Sequence, residues 1–137
     1  MIVPDTNLVS YLVIQGTHTS AARAVYARDP VWVLPPLWRS EFLSVLAVSI
    51  QAGVLTERQA RTAWRTATGL VGTAEEEPDP MAVLGLAVAK GISAYDAQFV
   101  ALAQMLDTML VTGDRKLVAR CPNRAISIDR FAAGGPR

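Results

Sequence analysis

Cysteine and histidine are almost absent from this chain of 137 residues, which contains Cys121 and His18 and no other residue of either type. A single cysteine excludes an intrachain disulfide and is compatible with a reducing cytoplasm, the location we expect. His18 stands alone, which favours a surface role over catalysis. Because no Cys and His cluster exists, a bound metal would be a hard, oxygen-seeking cation such as Mg²⁺ or Mn²⁺.

A strong charge imbalance and long hydrophobic runs are also lacking. The formal net charge is +1, whereas a non-specific phosphate binder usually carries a larger basic excess. Contact with an anionic substrate would therefore depend on a local patch or on bound cations. The apolar stretch 42–55 is too short and too interrupted to span a membrane. The N-terminus lacks the basic and apolar segments of a secretory signal, so we expect no such signal. We also expect no membrane partner.

What the chain does contain is enough apolar material for one domain, with a hydrophobic fraction of 51%. Short apolar runs alternate with helical patterns, which predicts an α/β fold with a mostly parallel sheet and helices on both faces. The predicted strands are Ile2–Val3, Val31–Leu34, Met109–Val111 and Ala125–Ile128. The predicted helices are Asn7–Ile14, Ser20–Arg28, Leu37–Ala52, one from Thr56, one from Pro80 to about Gly91, Ser93 to about Leu106, and Arg115–Arg120. No repeat or domain boundary interrupts this order, and we expect a frayed tail over about 132–137.

Four acidic residues occupy positions where an isolated carboxylate is costly. Asp5 and Asp114 follow predicted strands, and Glu41 and Asp96 lie on the apolar faces of predicted helices. A carboxylate on an apolar face has to be paired, protonated or bound to a metal. Since ligands in open parallel sheets bind at the carboxyl ends of strands, all four acids are expected near one edge. The pattern indicates metal-dependent chemistry on phosphate.

Each acid also has a purely structural interpretation. Asp5 and Asp114 are well placed to cap helices, and Asp96 would form a capping box with Ser93. Glu41 lies within a helix, where its alternative is a salt bridge to a residue such as Arg39. Capping and metal binding are compatible for the same residue, and the joint occurrence of four such acids argues against a structural explanation for all of them.

Four segments together resemble the successive motifs of PIN-domain ribonucleases, with the size and motif order of VapC-type toxins from toxin–antitoxin pairs. The segments are Ile2-Val3-Pro4-Asp5-Thr6-Asn7, Ser40-Glu41-Phe42-Leu43-Ser44-Val45-Leu46, residues 93–103 from Ser93-Ala94-Tyr95-Asp96 onward, and Leu110-Val111-Thr112-Gly113-Asp114-Arg115-Lys116-Leu117. Each motif is weak alone, but the four in order cover nearly the whole chain.

The resemblance implies one PIN domain over residues 1–137, with a three-layer α/β/α architecture. It further implies a Mg²⁺- or Mn²⁺-dependent endoribonuclease, an RNA substrate, a cognate antitoxin and self-association into a homodimer or a toxin–antitoxin hetero-oligomer. The acidic site, catalytic and metal-binding, would be Asp5, Glu41, Asp96 and Asp114. Thr112, and also Asn7, would orient the metal ligands or a metal-bound water without binding the metal themselves. Lys116 departs from the family, in which many members have a further acid, and this weakens the case for a second metal.

Rival functions remain open at this point. A PIN-like RNA-binding or scaffold protein without turnover would keep the fold, although the intact acids argue against it. A phosphoacceptor domain would need an adjacent acidic pair after the first strand, and a D-x-D phosphatase would need an acid at Asn7. The basic residues Arg58, Arg61 and Arg65 share a helix face, for which solvation is the simpler explanation than RNA contact.

Two further surface interpretations depend on position alone. Arg115 and Lys116, beside the fourth acid, are better candidates for phosphate contact. The apolar residues of the first helix are candidates for a dimer face or an antitoxin groove, with core packing as the alternative; they are Leu8, Val9, Tyr11, Leu12 and Val13.

Overall fold

A computed structural model describes all residues, 1–137, as an α/β fold around a short parallel sheet. The strands are β1 (Val3–Pro4), β2 (Leu110–Thr112) and β3 (Ala125–Ser127), in the order β1-β2-β3. The helices are α1 (Thr6–Val13), α2 (Thr19–Arg28), α3 (Trp38–Gln51), α4 (Glu57–Val71), α5 (Pro80–Lys90), α6 (Ala94–Met105), α7 (Arg115–Arg120) and α8 (Ile128–Ala132). The predicted fold class is therefore confirmed.

The residues that the sequence predicted to begin α4 and to begin and end α5 do so in the structure. Thr56 and Gln59 form the reciprocal capping box of α4. Asp79 caps α5, Pro80 is in its first turn, and Gly91 ends the helix with a positive φ of 61°. These contacts satisfy backbone groups that a helix leaves unpaired at its ends.

The predicted strand Val31–Leu34 is wrong as a continuous strand. The segment makes one parallel bridge at Trp32, to Ile2, and a second at Leu34, to Glu75. Because its hydrogen bonds pass from one neighbour to another, neither ladder continues long enough to be a strand. Pro35 then removes the next backbone donor.

The chain after β3 forms α8, which the sequence interpretation did not include. The Ser127 hydroxyl accepts a hydrogen bond from the amide of Arg130 at 3.3 Å and so caps this short helix. Phe131 is buried beneath the guanidinium of Arg28. Arg28 also donates to the carbonyl of Gly135 at 2.6 Å. The frayed tail stays a prediction.

The hydrophobic core consists of 29 buried residues that connect the sheet with the helices around it. Leu8 and Val9 of α1 are fully or almost fully buried, and Tyr11, Leu12 and Val13 pack against the same core. Core packing therefore accounts for Leu8 and Val9, whereas Tyr11, Leu12 and Val13 are only partly buried, and the suggestion that this helix forms a dimer face or an antitoxin groove stays a prediction. No helix has both the length and the apolar character needed to cross a membrane.

Candidate active site

The carboxyl end of β1 positions Asp5 between a helix and the neighbouring strand. Asp5 Oδ1 accepts the amide of Leu8 at 2.7 Å, which makes Asp5 the N-cap of α1. Asp5 Oδ2 accepts the Thr112 hydroxyl at 2.6 Å and the Gly113 amide at 3.2 Å. Contacts to both carboxylate oxygens hold this side chain in one orientation. Asp5 is thus a helix cap, and it is also one of the acids that line the cavity described below.

Thr112, at the end of β2, connects two of the acids. Its side chain is buried, and its hydroxyl oxygen accepts the amide of Asp114 at 3.0 Å while the hydroxyl donates to Asp5. Asp114 Oδ1 accepts the amides of Lys116 and Leu117 at 2.9 and 3.1 Å, as the N-cap of α7. The Thr112 hydroxyl thus links the carboxylate of Asp5 to the backbone of Asp114.

Glu41 lies in the first turn of α3 and is bonded to α1. The Thr6 hydroxyl donates to Glu41 Oε1 at 2.7 Å. The alternative of a salt bridge to Arg39 is wrong, because Arg39 Nε pairs with Glu75 at 2.5 Å instead. Glu41 is therefore a half-buried carboxylate that no cationic side chain of the protein neutralises.

Asp96 lies in the first turn of α6. Its amide donates to the Ser93 hydroxyl oxygen at 3.0 Å, so Ser93 caps the helix. The reciprocal bond that would complete a capping box is not formed, in contrast to the complete box at α4. The capping-box explanation of Asp96 is therefore wrong, and its carboxylate remains available to the cavity beside it.

The four acids line one open cavity of about 470 Å³, which we call the acidic cavity. Its lining residues are Asp5, Thr6, Asn7, Glu41, Ser44, Val45, Val48, Ser49, Asp96, Phe99, Thr112, Asp114 and Leu117. The lining contains four carboxylates and no Lys, Arg or His. The structure thus places the predicted residues, Asn7 included, in the lining of one cavity that contains no basic side chain.

Burial and mutual repulsion raise the pKa of three of these carboxyl groups. Burial is the main cause for Asp5, and the charge of Asp114 raises its pKa further against opposing hydrogen bonds, first from Thr112. Burial also raises the pKa of Glu41, to which the charges of Asp96 and Asp5 add. For Asp96, burial is again the largest cause, followed by the charge of Asp114. Each acid therefore acts electrostatically on at least one other.

The chemistry of the donor set fits a hard divalent cation. The cavity offers carboxylate and hydroxyl oxygens, the ligands that Mg²⁺ and Mn²⁺ prefer, and no basic side chain lines it. No group of three or more Asp, Glu, His or Cys side chains is already drawn together as a metal-binding cluster. A bound cation would offset the repulsion that acts between these side chains without it.

Three polar residues of the cavity were missed by the sequence interpretation. Thr6 is buried and holds Glu41, while Ser44 and Ser49 lie on α3 on the cavity side. The helical spacing of the two serines from Glu41 was an available signal. The Thr6 contact was not available, because it depends on how α1 and α3 pack.

The basic residues divide into two sets. Arg58, Arg61 and Arg65 line a polar surface of α4, where Arg61 pairs with Glu57 at 2.9 Å, and none of them lines the acidic cavity. Lys116 lines a smaller neighbouring cavity, which shares Asp96 and Asp114 with the acidic one. Arg120, also missed from the sequence, lines that smaller cavity too.

Comparison with known proteins identifies the family and the fold. Residues 2–121 match the family described as PIN domain. The fold is similar to the crystal structure of PAE2754 from Pyrobaculum aerophilum, with a TM-score of 0.77, 19% identity, and coverage of 96% of this chain and 86% of that chain. It is also similar to FitAcB from Neisseria gonorrhoeae, with a TM-score of 0.66, 17% identity, and coverage of 93% and 98%. No curated protein gave a match.

Proposed function

Because the chain belongs to the PIN-domain family, we propose that it is a Mg²⁺- or Mn²⁺-dependent endoribonuclease that acts in the cytoplasm as the toxin of a VapBC-type toxin–antitoxin pair. PIN domains are generally nucleases and typically use divalent metal ions. The observation that carries the proposal is the acidic cavity, which is lined by four carboxylates and by no basic side chain. A carboxylate withdrawn from solvent is normally paired with a cation or bound to a metal, and none of these four forms a salt bridge within the chain.

The proposed roles follow from the contacts. Asp5, Glu41, Asp96 and Asp114 would hold the cation, and Thr112 would be a positioning residue that orients Asp5 through its 2.6 Å hydrogen bond. A bound Mg²⁺ or Mn²⁺ supplies charge that neutralises the phosphodiester and lowers the pKa of water. Asn7, exposed at the cavity, would orient ligands or water, and Lys116 in the neighbouring cavity would contact the RNA phosphate. Hydrolysis would leave a 5′-phosphate and a 3′-hydroxyl.

The proposed partners match the charge of the site. A cognate antitoxin would cover the acidic cavity with a segment that places an Arg or Lys among the carboxylates. Such a side chain would supply the positive charge that the lining lacks. The protein would also form a homodimer, alone or within the toxin–antitoxin complex.

Sequencing of RNA ends after induction tests the proposed activity in cells. We expect new 5′-phosphate ends at defined positions with the wild-type chain and none above background with Asp5→Asn. Asparagine at position 5 keeps an oxygen that accepts the Leu8 amide, so the cap of α1 is preserved while the charge is removed. Equal end profiles for the two proteins would instead favour a PIN-like RNA-binding or scaffold protein without turnover.

The positioning role of Thr112 has its own test. Thr112→Val removes the hydroxyl that orients Asp5 and keeps the shape of the side chain, so we expect Mn²⁺ affinity to fall by about 10- to 100-fold. Thr112→Ser restores the hydroxyl and is expected to bind Mn²⁺ nearly as wild type does. Calorimetric titration with Mn²⁺ measures this without RNA. Unchanged affinity in Thr112→Val would show that the bond to Asp5 serves only the fold.

A further inference from the structure

A smaller cavity of about 200 Å³ adjoins the acidic cavity, and we call it the side cavity. Asp96, Asp114 and Leu117 line both cavities, so the two lie side by side and share one wall. The side cavity contains what the acidic cavity lacks, namely the basic side chains of Lys116 and Arg120. A cavity lined by two cations suits an anionic group, and this one lies directly beside the proposed metal site.

Lys116 and Arg120 share one face of α7, because they are four residues apart. The helix begins directly after Asp114, whose carboxylate accepts the amides of Lys116 and Leu117 and so caps it. The two cations are therefore connected to the fourth acid of the acidic cavity through a short, capped helix. Their position relative to that cavity is set by the fold.

The end of α5 holds the guanidinium of Arg120 in place. Arg120 Nη1 donates to the carbonyl of Gly91 at 2.6 Å and to that of Lys90 at 3.2 Å. A Cβ at position 91 would lie 2.7 Å from this nitrogen, so a side chain there would displace the guanidinium. Because both bonds use the same nitrogen, Nε and Nη2 keep their N–H groups for a ligand. A guanidinium that is already anchored loses less conformational freedom when an anion binds.

No acid of the chain pairs with either cation. The four salt bridges of the protein include neither Lys116 nor Arg120, although both side chains share the side cavity with Asp96 and Asp114. Like charges one helical turn apart repel each other. An anion bound between the two cations would offset this repulsion and would accept a charge-assisted hydrogen bond from each.

We propose that Lys116 and Arg120 together bind the RNA phosphate next to the one that is cleaved. The inference rests on the proposed function, in which the scissile phosphate lies at the carboxylates of the acidic cavity. The next phosphate of the strand is one nucleotide away, and the side cavity is the adjoining space beyond the wall of Asp96 and Asp114. Lysine supplies a point charge and arginine a planar set of donors, and both suit a phosphate group.

The first test is the binding of a short, labelled single-stranded RNA, measured by fluorescence anisotropy with chelator so that no cleavage occurs. The double variant Lys116→Gln with Arg120→Gln should bind about tenfold more weakly, because it loses charge-assisted hydrogen bonds. The slope of log affinity against log salt should fall by about 0.7, the value for one phosphate of a single strand. The matched control, Arg58→Gln with Arg65→Gln, removes the same charge outside both cavities and should bind nearly as wild type does.

Single variants separate RNA binding from folding. Arg120→Gln also removes the bonds to the end of α5, whereas the Lys116 side chain takes part in no salt bridge. Lys116→Gln should therefore melt as wild type does with chelator and still bind RNA several-fold more weakly. Lys116→Arg keeps the charge and should restore binding.

Neutral methylphosphonate linkages in the RNA locate the bound phosphate. With Mn²⁺, neutralising one of the two phosphates that flank the cleaved bond should raise the KM of the wild type by about tenfold with little change in kcat, because this phosphate is bound equally before and during the reaction. The same linkage should add little to the effect of the double variant, since both changes remove one contact.

RNA binding that the double variant leaves unchanged, or that the control weakens equally, would overturn the inference. A loss of affinity for polyglutamate and not for RNA would also overturn it, because the two cations would then bind an acidic protein segment. Cleavage by the double variant with the wild-type KM would remove the phosphate site and leave the nuclease. A wild-type chain that binds RNA through Lys116 and Arg120 but never cleaves it would keep the phosphate site and contradict the nuclease proposal.

Discussion

Purified Asp96→Asn protein is expected to lose metal-dependent RNA cleavage by ~10²-fold or more, because each carboxylate positions the metal charge where negative charge develops in the transition state. Asp96 is the most informative of the four acids for this test. Asp5 and Asp114 also cap helices, and Glu41 is bonded to Thr6. The carboxylate of Asp96 caps no helix, so its neutral isostere removes a charge from the cavity without removing a helix cap.

The matched control for this experiment is Asp129→Asn. Asp129 is exposed, lies in the first turn of α8 as Asp96 does in α6, and does not line the acidic cavity. We expect Asp129→Asn to cleave RNA as wild type does. The measurement is the rate of cleavage of a labelled RNA with Mn²⁺ and with chelator. Cleavage by Asp96→Asn at the wild-type rate would contradict the assignment of the acidic site.

The features that depend on neighbouring residues in the sequence were the most predictable. The Thr56 capping box and the Asp79-Pro80 helix start are formed as expected, because a cap is decided within one helical turn. The segment Val31–Leu34 has a strand-like composition, but its hydrogen bonds are shared between Ile2 and the region of Glu75. Composition indicates that a segment is extended and buried. It does not specify whether the backbone hydrogen bonds of the segment go to one neighbouring segment or to two.

The contacts between distant elements were not predictable from the sequence. The apolar residues of α1 suit either a core or an interface, and the packing of α1 against α2, α3 and α4 buries Leu8 and Val9 while it leaves Tyr11, Leu12 and Val13 partly exposed. For the same reason, the hydrogen bond from Thr6 to Glu41 and the pairing of Arg39 with Glu75 depend on the arrangement of whole helices. Strand ends and helix faces were sufficient to predict that the acids meet, and their catalytic and metal roles stay predictions.

Metal is expected to stabilise the folded chain strongly. The acidic cavity exists only in the folded state, so Mg²⁺ or Mn²⁺ at about a hundred times its Kd should add about 2.7 kcal/mol to the free energy of unfolding. Asp96→Asn should lose most of this gain. Without metal, the same variant should be at least as stable as wild type, because it removes one of the charges that repel each other. Thermal melts with chelator and with Mn²⁺ measure both effects.

The pH dependence of the same melts gives the experiment an independent check. A carboxyl group with a raised pKa holds its proton more tightly in the folded state than in the unfolded chain, where aspartate titrates near 3.8 and glutamate near 4.5. Between these ordinary values and the raised ones the folded state binds more protons, so stability falls as the pH rises through this interval. The metal-free wild type should therefore gain stability from these groups on acidification from neutral pH toward pH 4.5.

Asp96→Asn contains one carboxyl group with a raised pKa fewer than the wild type. The amount by which its free energy of unfolding exceeds that of the metal-free wild type should therefore be largest at neutral pH and should decrease as the pH falls toward 4.5. Acids that serve only as caps or salt-bridge partners behave in the opposite way. Their folded pKa values are lowered, their removal costs about 0.5–2 kcal/mol, and metal has little effect. A wild-type protein that does not respond to Mn²⁺, together with an Asp96→Asn variant that is less stable at neutral pH, would show that the acids are structural and that the nuclease proposal is wrong.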